Sequence, residues 1–226
     1  MSGTFKNREE AGRQLVAELS QYRDDPLGLI LALPRGGVAI GYQLSLALHL
    51  QLDIFISRKI GAPGNPEYAI GAVAETGYCH LNQEAASSFG LSRHELDQLI
   101  HVQEKEIARR KELYRQGRPL PQLTGRTVLL VDDGIATGST FIAAALAIRG
   151  LRPRRLVGAM PVGPPSTIRE ISGYVDELVT LMTPDPFYAV GNFFMDFTQV
   201  EDRGVVDYLH LAEEAMHERT PSSPAP

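Results

Sequence analysis

Residues 128 to 140 read V-L-L-V-D-D-G-I-A-T-G-S-T, four aliphatic residues that run straight into two carboxylates and a loop of small residues. An apolar stretch from Phe141 to Ile148 follows with helical character. The continuous run Val128–Val131 suits a strand buried on both faces, as in a parallel sheet. In such sheets, ligands bind outside the carboxyl ends of the strands. Gly134 and Gly138 can take positive φ angles and bring backbone N–H groups close to an anion. Thr137, Ser139 and Thr140 add hydroxyl donors, and the helix start turns its positive end toward the same point. These residue types describe a phosphate cradle. Asp132 and Asp133 would repel that phosphate, so two neighbouring sugar hydroxyls, met directly or through a divalent cation, are their natural partners.

No lysine occurs in the loop, which excludes a P-loop, and no G-x-G-x-x-G marks a dinucleotide site. An ordinary buried strand, turn and helix cap is the plain alternative. Adjacent acids at a strand end, followed by five small residues (Ala136–Thr140), fit it badly. Across all thirteen positions the stretch resembles the phosphoribosyl-diphosphate (PRPP) motif of the type I phosphoribosyltransferases. The resemblance implies that Asp132 and Asp133 contact the ribose hydroxyls and lie beside a Mg²⁺ ion. It also implies that Ala136, Thr137, Gly138, Ser139 and Thr140 hold the 5′-phosphate.

A second unit of the same kind lies upstream. Gly28–Leu33 reads as a buried strand, Pro34-Arg35-Gly36-Gly37 as a tight loop, and Val38–Leu48 as an apolar helix. A cation with exposed amides at a helix start suits a diphosphate, while a simple βα turn is the plain alternative. In the resembling family this position is the pyrophosphate loop, often with a cis non-proline peptide. The resemblance therefore assigns pyrophosphate to Arg35, Gly36 and Gly37.

Leu52–Ile56 reads as a strand with Asp53 at its exposed start, and residues 57–68 read as an irregular loop rich in glycine and proline. The loop opens with Arg58 and Lys59. A mobile cationic flap closing over a departing diphosphate would exclude water and stabilise its charge, a role the family's loop at this position implies for both residues. A solvated basic loop is the plain alternative. Ala69–Ala74 and Tyr78–Leu81 read as a hairpin around Glu75-Thr-Gly77, with Glu75 a weak site candidate.

Capping boxes start two helices, one at Asn7–Glu10 and one at Ser92–Glu95 running to about Arg115. In the second, Arg109 and Arg110 read as solvating residues, and His94 and His101 lack partners at metal-ligand spacing. Arg155–Pro161 and Glu177–Met182 complete the strands, and Ser166 caps a short helix to Ile171. The alternation predicts an α/β fold, a mostly parallel central sheet with helices on both faces and a small hood or insertion. Residues 1–215 read as one domain, with 84–117 a helical insertion, 184–208 a hood and 216–226 a disordered tail. Five of the sixteen aromatic residues fall between Phe187 and Phe197. They suit either a heterocycle held by Phe187, Tyr188, Phe193 and Phe194 or a small subdomain core.

At 226 residues with 43% hydrophobic content, the chain can bury a proper core. A net charge of −5 argues against broad nucleic-acid binding. The single cysteine, Cys79, excludes an intrachain disulfide. The N-terminus lacks signal-peptide character and no apolar run matches a membrane span, so a cytoplasmic protein is expected.

The resemblance implies transfer of ribosyl 5-phosphate from PRPP to a nitrogenous base or related acceptor, with release of pyrophosphate and help from Mg²⁺. Ala136 stands where the 6-oxopurine enzymes usually carry an acid, which disfavours hypoxanthine and guanine. The segments P-R-G-G, S-R-K-I-G and P-F-Y-A-V-G are similar to a bacterial phosphoribosyltransferase group without an assigned acceptor. Two alternatives stay open: a non-catalytic PRPP- or nucleotide-binding regulator on the same fold, and a ribosyl phosphate hydrolase. Dimers are frequent in the family, so a homodimer is a further expectation.

Overall fold

The fold grows from a sheet whose central strands are wholly buried, as seen in a computed structural model describing residues 3–219. In chain order, α1 (Arg8–Glu18) precedes β1 (Gly28–Ala32), α2 (Gly37–Leu48) and β2 (Gln51–Ile54). Three further strands, β3 (Ser57–Ala62), β4 (Asn65–Ala74) and β5 (Cys79–Leu81), lead into α3 (Gln83–Ser88) and the long α4 (Arg93–Arg115). The chain then returns through β6 (Thr127–Val131), α5 (Ser139–Gly150), β7 (Arg155–Val162), α6 (Pro165–Ile171), β8 (Glu177–Met182) and α7 (Asp202–Arg219).

Five strands pair in parallel in the order β2-β1-β6-β7-β8. Alternate residues of each strand feed two separate cores, as the two-residue period requires. Ile30, Ala32, Leu129 and Val131 join the core under α1, α2 and α7. Leu29, Leu31, Val128 and Leu130 join the core under α5. The expected α/β architecture is present. From β1 the chain moves outward to β2 and later returns on the other side through β6, so the loops after β1 and β6 diverge from neighbouring strands. That switch point opens a crevice at the carboxyl edge.

The region expected to be an irregular flap is a hairpin. β3 pairs antiparallel with β4, and β4 with β5. Pro63 and Gly64 are the turn between β3 and β4, with Gly64 at φ 74°, the arrangement a type II turn uses. The residues that argued against regular structure are those that reverse the chain. Register shifts around Gly61 absorb Pro66, whose backbone comes so close that a Cβ on Gly61 would sit 2.5 Å from its carbonyl oxygen. The small sheet packs between α4 and α5.

Other expectations change in detail. Asn7 caps α1 by accepting from the Glu10 N–H at 3.0 Å, but the Glu10 carboxylate reaches back to the N–H of Lys6 and not to the cap. Pro165 occupies the first turn of α6 behind Pro164, leaving Ser166 inside the helix. Helix α7 carries residues 202–219, so its first turns lie in the stretch read as hood and residues 216–219 in the stretch read as tail. The remainder of that tail lies outside the described residues. Ser92 and Glu95 form the expected capping box on α4.

A buried ion cluster ties α4 to the sheet. Arg115 bonds Glu75, Asp53 (3.0 Å) and the Ile54 carbonyl, and the side chains of Arg115 and Glu75 are 4% and 2% exposed. Glu75 also accepts from the Ile56 N–H at 2.8 Å. Glu75 is therefore a buried anchor of α4, and Asp53 is its half-buried partner in the interior of β2 and not an exposed strand start.

Candidate active site

The loops after β1 and β6 meet at the switch point. A Cβ placed on Gly36 would lie 1.8 Å from Asp133 Oδ2, and one on Gly37 would lie 2.8 Å from the Val131 carbonyl oxygen and 3.0 Å from Asp132 Cα. Only a residue without a side chain allows this approach, although Gly36 itself has ordinary right-handed dihedrals. The Pro34–Arg35 peptide in the same loop is cis. Asp132 Oδ1 accepts the Asp133 N–H at 2.8 Å. Burial, then the neighbouring Asp133 carboxylate, pushes the Asp132 carboxyl well above the usual range. Asp133 is held by Arg8, whose Nε donates to Oδ2 at 2.7 Å.

Beyond the acids, the loop turns into α5. Gly138 takes φ 77° as the residue before the helix, and Thr167 of α6 donates its hydroxyl to the Ala136 carbonyl at 2.8 Å. The first-turn N–H groups of Ser139 and Thr140 have no intrahelical acceptor. Ala136 and Thr137 are exposed, Gly138 is buried, and Ser139 and Thr140 are half-buried. A cavity of about 290 Å³ is lined by Thr137 and Ser139 from this loop, by Tyr68, His80 and Asn82 from the small sheet and its exit, and by Glu170 from α6. The last four were not singled out from the sequence. They come from segments without motif character: the small sheet beside α5 brings Tyr68, His80 and Asn82 to the cradle, and α6, tied to the loop by Thr167, brings Glu170.

On the opposite side, Arg35 faces an ion network. Its Nη1 lies 3.6 Å from Asp202 Oδ1, which also accepts from the Tyr114 hydroxyl at 2.6 Å. Arg109 bridges Asp202 (3.1 Å) and Glu106 (2.8 Å), and Arg110 binds Glu106 at 2.7 Å. The Arg110 side chain is only 11% exposed, which corrects its reading as a solvating residue. Arg58 sits in β3 and donates Nε to Gln103 of α4 at 3.2 Å. Burial, then repulsion from Arg110 and Arg35, lowers its pKa from the usual arginine range. Arg58 thus joins a cationic cluster beside the Arg35 loop, but from a strand and not from a flap. Strand alternation directs the adjacent Lys59 to the other face.

The hood reaches the acids through Val190, whose side chain occupies the space a Cβ on Gly134 would need (2.4 Å). Its aromatics divide into two groups. Phe194 is 7% exposed between Phe5 and Phe197, with ring centroids 5.3 and 4.9 Å away. It offers no free face, so the expectation of an acceptor contact gives way to a core role. Phe187 and Phe193 stack on each other at 5.2 Å, and Tyr188 is 80% exposed.

Arg8 and Tyr114 are the consequential residues absent from the sequence reading, and Arg110 is the one it assigned to solvent. A signal existed. Arg8 stands at i−3, i−4 and i−7 from Ala11, Gly12 and Leu15, a cation on the buried stripe of α1. Arg110, Tyr114 and Arg115 similarly follow buried Ile107 by three, seven and eight positions. A charge on an apolar face demands a buried partner.

The phosphoribosyl transferase domain family matches residues 4–197, and the chain belongs to that family. Two Mycobacterium tuberculosis proteins, each named "Putative phosphoribosyl transferase", are 40% identical over 208 residues, which is 92% of this chain and 47% of theirs. The chain thus spans about half the length of these curated relatives. A crystal structure of TT1426 from Thermus thermophilus superposes with a TM-score of 0.77 at 37% identity, covering 91% of this chain and 97% of that one. The AQ2163 protein of Aquifex aeolicus shares the fold at a TM-score of 0.50 and 13% identity, covering 90% and 85%. Among the described residues, no helix is long and apolar enough to cross a membrane.

Asp132 and Asp133 are adjacent carboxylates, the hard oxygen donors that Mg²⁺ takes. Among the described residues no group of three or more His, Cys, Asp or Glu side chains gathers as a metal cluster, so a cation here would draw its other ligands from substrate and water.

Proposed function

We propose that the protein is a Mg²⁺-dependent phosphoribosyltransferase that moves ribosyl 5-phosphate from PRPP to a nitrogenous base or related acceptor and releases pyrophosphate. The observation that carries this reading is the direct contact of the two loops at the switch point, Gly36 against Asp133 and Gly37 against Asp132. One substrate carrying a diphosphate beside a ribose diol would span both. In this reading Ala136, Thr137, Gly138, Ser139 and Thr140 bind the 5′-phosphate and fix the sugar. Asp132 and Asp133 orient the ribose hydroxyls, directly or through the cation. Arg35, Gly36 and Gly37 bind the pyrophosphate, and Arg58, without Lys59 on the other face of the strand, adds positive charge as it departs. Mg²⁺, when bound, offsets the charge that grows on the leaving group.

The bond from C1 of the ribose to the diphosphate oxygen breaks as the bond to the acceptor nitrogen forms, so reactant geometry dominates the demand on the protein. Phe187, Tyr188 and Phe193 are the remaining aromatic candidates for the acceptor side. The same reading places the protein in the cytoplasm and in nucleotide metabolism. Pyrophosphate release from PRPP across a panel of nucleobases tests it, with acceptor-dependent release as the expected result. Release without any acceptor would make the protein a hydrolase. PRPP binding without turnover on any acceptor would make it a ligand-sensing module.

A further inference from the structure

Arg8 touches the acid pair, the Arg35 loop and the hood at once. Its Nε donates to Asp133 Oδ2 at 2.7 Å and stands 3.0 Å from the position a Cβ would take on Gly36. Its Nη1 donates to the Thr198 carbonyl at 2.8 Å, and its guanidinium carbon lies 3.8 Å from the centroid of the Phe197 ring. The side chain is 9% exposed. The backbone ahead of it is bound to the hood as well: the Phe5 N–H donates to the Phe193 carbonyl at 2.8 Å, Met195 N–H to Phe5 at 2.8 Å and Asp196 N–H to Lys6 at 2.9 Å. Residues 5–8 therefore form a strap between the hood and the motif acids.

We propose that Arg8 is a positioning residue that couples the hood to Asp133, so that occupation of the ribose site and ordering of the hood are linked. The guanidinium is suited to this because it is planar and its donors diverge in a fixed fork. One edge serves the carboxylate and another the Thr198 carbonyl, while the face packs on Phe197. A displacement of the hood carries the guanidinium with it and changes the support under Asp133. A change at Asp133 is passed back by the same rigid group. The consequence for substrate order rests on the phosphoribosyltransferase reading, whereas the mechanical coupling does not.

Hydrogen exchange at the Met195 and Asp196 amides, read in the full protein without ligand, separates this role from ordinary packing. The Met195 and Asp196 amides bond Phe5 and Lys6 while Asp133 bonds Arg8, so Asp133→Asn reaches them through Arg8. Asp133→Asn is expected to speed their exchange about fivefold or more, and to add nothing once Arg8→Gln is present, the signature of one coupled pair. Arg8→Lys keeps a cation beside Asp133 but cannot serve Thr198 at the same time. It should hold PRPP affinity within about threefold of wild type while exchange at the hood accelerates and the KM for acceptor rises more than the KM for PRPP. If Arg8→Gln does not fold, Arg8→Lys and Asp133→Asn carry the test. Exchange at Met195 and Asp196 that ignores Asp133→Asn, or responds to it equally in the Arg8→Gln background, overturns the proposal. Coupled exchange in a protein that binds no PRPP would leave the coupling standing and remove the transferase reading.

Discussion

The loops after β1 and β6 share one topology, a buried strand followed by a glycine loop and a helix, yet they are held in different ways. The cradle part of the β6 loop, residues 136–140, is held by nearby chain. Gly138 supplies the left-handed turn, Thr167 pins the Ala136 carbonyl, and the helix that follows continues the same stretch of chain. The β1 loop is held from far away. Gly36 rests on Asp133, Arg8 lies beneath it, and Arg35 faces Asp202, which Tyr114 and Arg109 fix in turn. A phosphate cradle can be built from local backbone, because N–H groups and small residues are enough. Cations and carboxylates at a partly buried edge need partners, and those partners come from wherever the fold supplies them.

The largest expected effect tests how far the distant supports matter to the whole molecule. Arg115→Met leaves the buried carboxylate of Glu75, and the half-buried one of Asp53, without their cation. It should cost about 3–5 kcal/mol in urea unfolding, the range for breaking one side of a buried ion pair. A loss under about 1 kcal/mol, the value of a surface pair, would show that α4 is not anchored to the sheet by charge.

Next come the two glycines, whose requirements differ. Gly36→Ala forces a methyl group into Asp133, so the acid or the loop must shift. An overpacking cost of about 1–3 kcal/mol in thermal unfolding is expected. Misplacement of about 1 Å should also weaken PRPP binding on the order of 10²-fold by calorimetry. Gly138→Ala meets a backbone at φ 77° and the Thr167 methyl group at 3.0 Å. About 1–2 kcal/mol is expected, and binding should fall less than for Gly36→Ala. Equal effects on binding would erase the distinction between the loops.

The smallest effect concerns the network beside Arg35. Bonds from Arg109, opposed by partial burial and aided by Arg110, lower the Glu106 carboxyl to about 2 from an ordinary value of 4.5. Its folded pKa is depressed, so its stabilising contribution is fully present above pH 4.5 and is lost as the pH falls through 2. Glu106→Gln should flatten that acid limb of the stability curve. An unchanged limb would show that the network adds nothing to stability.

What could be read from the chain follows the same division. The aliphatic runs of β1 and β6, the acid pair and the small-residue loop are contiguous, so their periodicity and chemistry identify the sheet, its edge and the cradle. The flap was misread because Pro63 and Gly64 signal a turn as well as an irregular loop, and the pairing of β3 with β4 decides between them. Helix α7 escaped notice behind an aromatic stretch with no helical period of its own. Arg8 and Asp133 are separated by 125 positions. The position of Arg8 on an apolar helix face is a signal that it needs a partner, but nothing local names that partner.

Calorimetric titration with PRPP, with and without Mg²⁺, tests the central claim most directly when wild type is compared with Asp132→Ala/Asp133→Ala. The account predicts metal-dependent binding by the wild type and its loss in the double variant. Equal PRPP binding by both proteins, or none by the wild type at about millimolar PRPP, a binding free energy weaker than about −4 kcal/mol, would contradict it.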